Sequence, residues 1–252
     1  MDIQTLELSD DFSFLYTGPS LDQGPLPTLI YFALYAEDSL QTDPFNQPVQ
    51  FLENVPIRIF SVTLPGHEAQ LPPENAIQVW AKAMGEGQAL IPSFVNQVKK
   101  GIDHLFQQDL IAEDKLAVAG LSRGAFIACH VAAVCLEVKT ILGYAPVTRL
   151  SFAKEFSEIR EENAVTALNL ENLTPQLYNR KVRFYIGNCD VRVSTQHCFS
   201  FIQHLARTAK ENRISSSPIE LFIGPSIGFQ GHGTAPEVFQ KGVDWIKQEL
   251  LP

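Results

Sequence analysis

Short, almost uninterrupted apolar runs recur along this chain at residues 28–35, 57–64, 115–119, 140–144, 182–186 and 219–223. A strand this apolar must bury both of its faces, and a mainly parallel sheet with helices above and below does that. Segments with helical spacing at residues 74–85, 89–107, 124–138, 194–211 and 236–250 separate most of the runs, which gives the βα alternation of an α/β fold. Right-handed crossovers then put helices on both faces. Before this pattern begins, Ile3, Leu6 and Leu8, then Phe12, Phe14 and Tyr16, form two short runs joined by Ser9, Asp10 and Asp11. They read as an antiparallel pair at the start of the sheet. Neither a repeat nor a linker interrupts the pattern, so residues 1–252 are expected to form a single domain.

Composition narrows the function. With 252 residues, 45% of them hydrophobic and 19% charged, the chain has ample material for a core and lacks the profile of disorder. A formal net charge of -9 repels phosphate backbones and anionic lipid heads, so nucleic acid is not an expected partner. The beginning of the sequence carries acids where a secretory signal has a basic region, and the apolar stretch at 116–136 is broken by Arg123 and His130. Neither export by that route nor a membrane span is expected. The four cysteines form no CxxC pair, which fits a reducing, cytoplasmic setting and argues against a structural zinc site. No metal or other cofactor is implied.

In such sheets ligands bind at the carboxyl ends of the strands, so the loops that follow the apolar runs are the places to look for chemistry. One of them reads Gly120-Leu121-Ser122-Arg123-Gly124, directly after a buried strand and directly before an apolar helix. Gly-x-Ser-x-Gly in that context is a nucleophile elbow, in which glycines two before and two after the serine leave room for backbone that a Cβ would strike. The plainer alternative is a tight βα turn with an incidental serine. A serine hydroxyl attacks only when an imidazole takes its proton, and the imidazole needs a carboxylate to hold its tautomer. Between Ser122 and His232 the only aspartate is Asp190, after the run 182–186; its alternative role is a loop residue near the helix that Ser194 or Thr195 would cap. Four histidines, His104, His130, His197 and His204, fall inside expected helices, and His67 precedes the serine. His232, in the glycine-rich stretch 224–234, is left as the base.

The elbow, the Ser, Asp, His order, the loop 187–193 and Gly231-His232-Gly233-Thr234 together resemble the α/β-hydrolase superfamily. The likeness extends over nearly the whole chain, within the esterase, dienelactone-hydrolase-like and acyl-peptidase-like branches. It implies Ser122 as nucleophile, Asp190 as acid and His232 as base, with the N–H of Arg123 as the first oxyanion donor. Many members carry His-Gly after the strand at 28–32, whereas this chain has Ala33-Leu34. By position, the second donor is expected to be the amide of Tyr35, with Leu34 as the alternative.

Residues 145–180 lie between two core runs where the superfamily often carries a lid, and within them 151–162 has helical spacing. The segment is short, so a partly covered cleft is expected. Substrate contacts are expected from Phe229, His67 and Arg192. Arg123, Arg192 and His67 suit an acidic acyl group, while Phe229 and Tyr35 suit an apolar one. The resulting expectation is a carboxylesterase-type hydrolase that cleaves a small-molecule ester, thioester or acyl-amide through an acyl-enzyme. The alternatives are an inactive fold relative that binds a ligand or partner, and an acyltransferase or peptidase using the same triad. Natural substrate and oligomeric state stay open at this stage.

Overall fold

The structure is a computed structural model and describes residues 2–9, 12–67 and 71–251. Its eight strands are β1 (Gln4–Ser9), β2 (Phe12–Thr17), β3 (Leu26–Phe32), β4 (Arg58–Ser61), β5 (Ile111–Leu121), β6 (Thr140–Tyr144), β7 (Lys181–Gly187) and β8 (Ile219–Gly224). They form one open sheet in the order β1-β2-β4-β3-β5-β6-β7-β8. β1 pairs antiparallel with β2, and β2 with β4, while all other pairings are parallel. The expected antiparallel start is therefore present, although Asp10 and Asp11 of its turn lie outside the described residues.

Alternation along β3 shows why the apolar runs are continuous. Ile30 and Phe32 enter one core with the helices Ala76–Gly85, Leu90–Gln107, Arg123–Val134 and Thr195–Glu211, whereas Leu29 and Tyr31 enter a second core with Pro236–Leu250. The inner strands thus serve two cores, whereas the edge strands β1 and β8 stay partly exposed. β5 lies at the centre of the parallel part, and the helix after it is buried almost all round, from Gly124 through Ala132. Among the described residues, no helix is long and apolar enough to cross a membrane.

The structure departs from expectation in two places that matter for the site. β3 ends at Phe32 rather than at residue 35, because the chain turns there: the amide of Leu34 donates to Ser39 Oγ (3.0 Å) and Tyr35 precedes the short helix Ala36–Gln41. Residues 151–162 do not form the expected helix. They form 3₁₀ turns at Leu150–Phe152 and Lys154–Phe156, with Ala153 extended between them (φ -67°, ψ 135°). Phe152 and Phe156 have the four-residue spacing of one helical face, yet Phe156 is fully buried and Phe152 is 41% exposed. The break in phase buries Phe156 beside Leu150 and lets Glu155 pair with Arg192; these tertiary contacts outweigh a weak local preference.

Candidate active site

β5 runs into the helix Arg123–Val134 with the single residue Ser122 between them, and Ser122 takes φ 55°, ψ -116°. A non-glycine residue in that region is strained by about 1–3 kcal/mol, and the surrounding contacts hold it there. Its amide donates to Tyr144 O (2.8 Å), and its carbonyl accepts from the amides of Ala125 and Val147. The two glycines of the motif are required by close backbone approach. A Cβ on Gly120 would sit 2.2 Å from the Gly124 carbonyl carbon, and one on Gly124 would sit 1.9 Å from Phe32 O. Gly124→Ala should therefore push the helix off β3 and cost at least about 3 kcal/mol, the upper end of overpacking costs. A thermal melt within a degree of wild type would contradict this.

The loops that carry Asp190 and His232 follow β7 and β8 at the same end of the sheet. Asp190 has a fully buried carboxylate, whose Oδ1 accepts from the amides of Arg192 (3.0 Å) and Val193 (3.1 Å). Its Oδ2 lies 2.8 Å from His232 Nδ1, and His232 Nε2 lies 2.8 Å from Ser122 Oγ. Ser194 caps the next helix by accepting from the His197 amide, which leaves the Asp190 carboxylate for His232. The two loops are tied together. Ser226 Oγ accepts from the Cys189 amide (2.6 Å), the Ser226 amide donates to Asn188 Oδ1, and the Val191 amide donates to Gln230 O. Gly231, at φ 73°, packs so tightly that a Cβ there would sit 2.3 Å from Cys189 O. Asn188 and Ser226 are 38 residues apart, and nothing in the sequence pattern pairs them.

Two cavities meet at Ser122 and His232. One, of about 300 Å³, is lined by Arg123, Arg149, Glu155, Arg192 and, at its rim, Phe229, which is 85% exposed. The other, of about 260 Å³, is apolar, with Ala33, Leu34, Phe45, Leu121 and Phe239 in its wall. Larger grooves of about 610 and 650 Å³ lie away from Ser122 and His232, and Tyr35 lines the first of these instead. Leu34 is thus beside the serine, but its amide is already committed to Ser39. Residues of the 145–180 segment, Leu150 and Ala153 among them, form part of the first cavity's wall. No group of three His, Cys, Asp or Glu side chains among the described residues is arranged to hold a metal.

His67 does not line either cavity. It is 3% exposed, and its Nε2 accepts a 2.7 Å hydrogen bond from Arg123 Nε, while Arg123 NH2 donates to Pro73 O. Burial, with the Arg123 charge second, lowers the His67 pKa to about 3, so the ring is a neutral acceptor. Burial, followed by repulsion from Arg192, brings the Arg123 guanidinium down to about 10, which keeps it charged at neutral pH. His130 is likewise held neutral by burial, at about 4, and its Nε2 lies 3.0 Å from Leu168 O.

These two histidines predict an acid limb of stability. The unfolded chain takes up their protons near an ordinary imidazole value of about 6.5, whereas the folded chain refuses them down to about 4 and 3. The unfolded state therefore binds more protons throughout that window, and stability falls as pH drops from about 6.5 toward 4. Melting temperature should be flat with respect to these groups above pH 7 and decline below it. His130→Phe should make the decline shallower, and an unchanged slope would contradict the assignment.

No family model matches the chain, and no curated protein matches it. Solved structures do match. A Thermus thermophilus protein, TT1662, is similar over 100% of both chains, with a TM-score of 0.73 and 14% identity. The esterase Pf2001 of Pyrococcus furiosus is similar over 100% of this chain and 92% of its own, with a TM-score of 0.64 and 15% identity. The acylaminoacyl peptidase of Pyrococcus horikoshii is similar over 98% of this chain and 40% of its own, with a TM-score of 0.66 and 12% identity. The present chain spans less than half the length of that peptidase. At these identities the likeness is one of fold.

Proposed function

On the α/β-hydrolase fold that this chain shares with those structures, we propose that it is a serine hydrolase of carboxylesterase type, acting on a carboxylic ester, thioester or small acyl-amide. The observation that carries this reading is the unbroken line from Ser122 Oγ through both His232 nitrogens to Asp190, at 2.8 Å for each step. His232 Nε2 accepts the hydroxyl proton as Ser122 Oγ attacks the carbonyl carbon. The oxyanion of the tetrahedral intermediate is received by the Arg123 amide at the start of its helix. Of the two expected second donors, Leu34 stands beside the serine but gives its amide to Ser39, and Tyr35 lines a groove away from it, so the Arg123 amide is the one donor assigned here. His232 then returns the proton to the leaving group and an acyl-enzyme remains. A water, deprotonated by the same imidazole, releases the acid and restores the serine.

Residues 145–180 serve in this reading as the short lid, and the apolar and the arginine-lined cavities receive the two halves of the substrate. A reducing, cytoplasmic setting suits the cysteines: Cys129, Cys135 and Cys198 are buried and free, and Cys189 is exposed and free. The direct test is a fluorophosphonate probe. Stoichiometric labelling on Ser122, competed by p-nitrophenyl butyrate, is expected; absence of labelling would remove the proposal. The triad chemistry uses no metal, so turnover should survive EDTA unchanged, and loss restored by zinc would contradict it.

A further inference from the structure

Charge in the 300 Å³ cavity is distributed unevenly. Arg149 is paired with Glu171 (both contacts 2.6 Å), and Arg192 is paired with Glu155 (2.8 and 3.1 Å). Arg123 differs. Its two hydrogen-bond acceptors, His67 Nε2 and Pro73 O, are neutral, and among the described residues no carboxylate lies within ion-pair distance of it. Glu74 and Glu155 act on it only from farther away. Arg123 is half-buried at the cavity wall, and a guanidinium held there with only neutral acceptors among the described residues favours a ligand that brings the counter-charge. In a chain of net charge -9, the lining of this cavity sets Arg123, Arg149, Lys154 and Arg192 against Glu74 and Glu155. The buried Arg149 Nε also has no partner within the protein.

We propose that the substrate carries a carboxylate on the portion seated in this cavity, where the Arg123 guanidinium receives it while the adjacent carbonyl meets Ser122. A carboxylate suits the site because the planar guanidinium still has donors beyond those given to His67 and Pro73, and a fork of donors matches two oxygens. His67 takes a positioning part in this. As a neutral acceptor behind the guanidinium, it fixes the fork without neutralising it, which a glutamate at the same place would not do. The proposal rests on the serine hydrolase reading for its chemistry and on the cavity alone for its binding.

The experiment separates those two. Mono-p-nitrophenyl glutarate is compared with p-nitrophenyl butyrate, and 4-carboxyphenyl butyrate with phenyl butyrate, for wild type and Arg123→Gln, with glutarate binding followed by calorimetry on the same proteins. The first pair places the carboxylate on the acyl side and the second on the leaving side. Wild type should favour the carboxylate ester of one pair by about 10- to 100-fold in kcat/KM, the range of a charge-assisted hydrogen-bonded contact, and Arg123→Gln should erase the preference chiefly through KM. Glutarate should bind wild type at least tenfold more tightly than Arg123→Gln. Turnover of neutral esters without a preference in either pair overturns the inference and leaves the hydrolase standing. Arg123-dependent glutarate binding without any turnover supports the carboxylate site and removes the hydrolase reading, and failure of both binding and turnover overturns both.

Discussion

Ser122→Ala is expected to abolish turnover of p-nitrophenyl esters, with kcat falling by about 10⁵- to 10⁶-fold while the circular dichroism spectrum and melting temperature stay close to wild type. The hydroxyl is bonded to His232 Nε2, whereas the backbone at Ser122 is held by Tyr144, Ala125 and Val147, all of which an alanine keeps. Alanine also bears the same strain at φ 55°, so the substitution isolates chemistry from stability. Ser122→Gly makes the complementary point. Glycine accepts that conformation without a Cβ penalty, so this variant should be as inactive as the alanine one but more stable than wild type, by up to about 1–3 kcal/mol. A Ser122→Gly protein that melts below wild type would mean that the strain is not stored at this residue. Residual activity above a thousandth of wild type in Ser122→Ala would place the nucleophile elsewhere.

The sequence was most legible where one physical demand dominated. Burial on both faces explains the strand runs, and backbone crowding explains Gly120 and Gly124, so a mainly parallel sheet and the elbow could be expected from local pattern, whereas the order of the strands could not. Asp190 and His232 could be named by elimination, because one loop histidine fell after the serine and one aspartate fell between the two; the 2.8 Å contacts needed the fold. What escaped the sequence are pairs with no local signature. His67 and Arg123 are 56 residues apart, and their loops are unrelated in pattern, so His67 was expected at the substrate when it lies behind a cation. Glu155 and Arg192, 37 residues apart, were unpairable for the same reason, and their pairing accompanies the loss of the helix expected over 151–162. The turn after Phe32 is held by two hydroxyls, Ser39 for the Leu34 amide and Thr63 for the Ala36 amide, which no periodicity marks.

Asp190→Asn should lower kcat by about 10⁴-fold with the protein fully folded, and the reason is specific to the contacts at Oδ1. That oxygen accepts from two backbone amides, Arg192 and Val193, at 3.0 and 3.1 Å. An asparagine can satisfy those amides only with its carbonyl oxygen, which turns its NH2 toward His232 Nδ1. The imidazole must then accept at Nδ1 and carry its proton on Nε2, where it faces Ser122 and cannot take the hydroxyl proton. The wrong tautomer is thus enforced by the loop rather than merely permitted. His232→Ala should lose at least as much, because the base is gone, and both losses should appear in kcat with KM changed little. His197 offers the control: its ring packs edge-on against Phe152 at 4.8 Å, behind the cavity wall that Phe152 lines and without a hydrogen bond to Ser122, Asp190 or His232, so His197→Ala should stay within a few-fold of wild type. The deciding measurement is kcat and KM for the three variants, with near-ultraviolet circular dichroism to confirm packing. A fully active Asp190→Asn, or a His197→Ala as impaired as His232→Ala, would mean that the proton leaves Ser122 by another route.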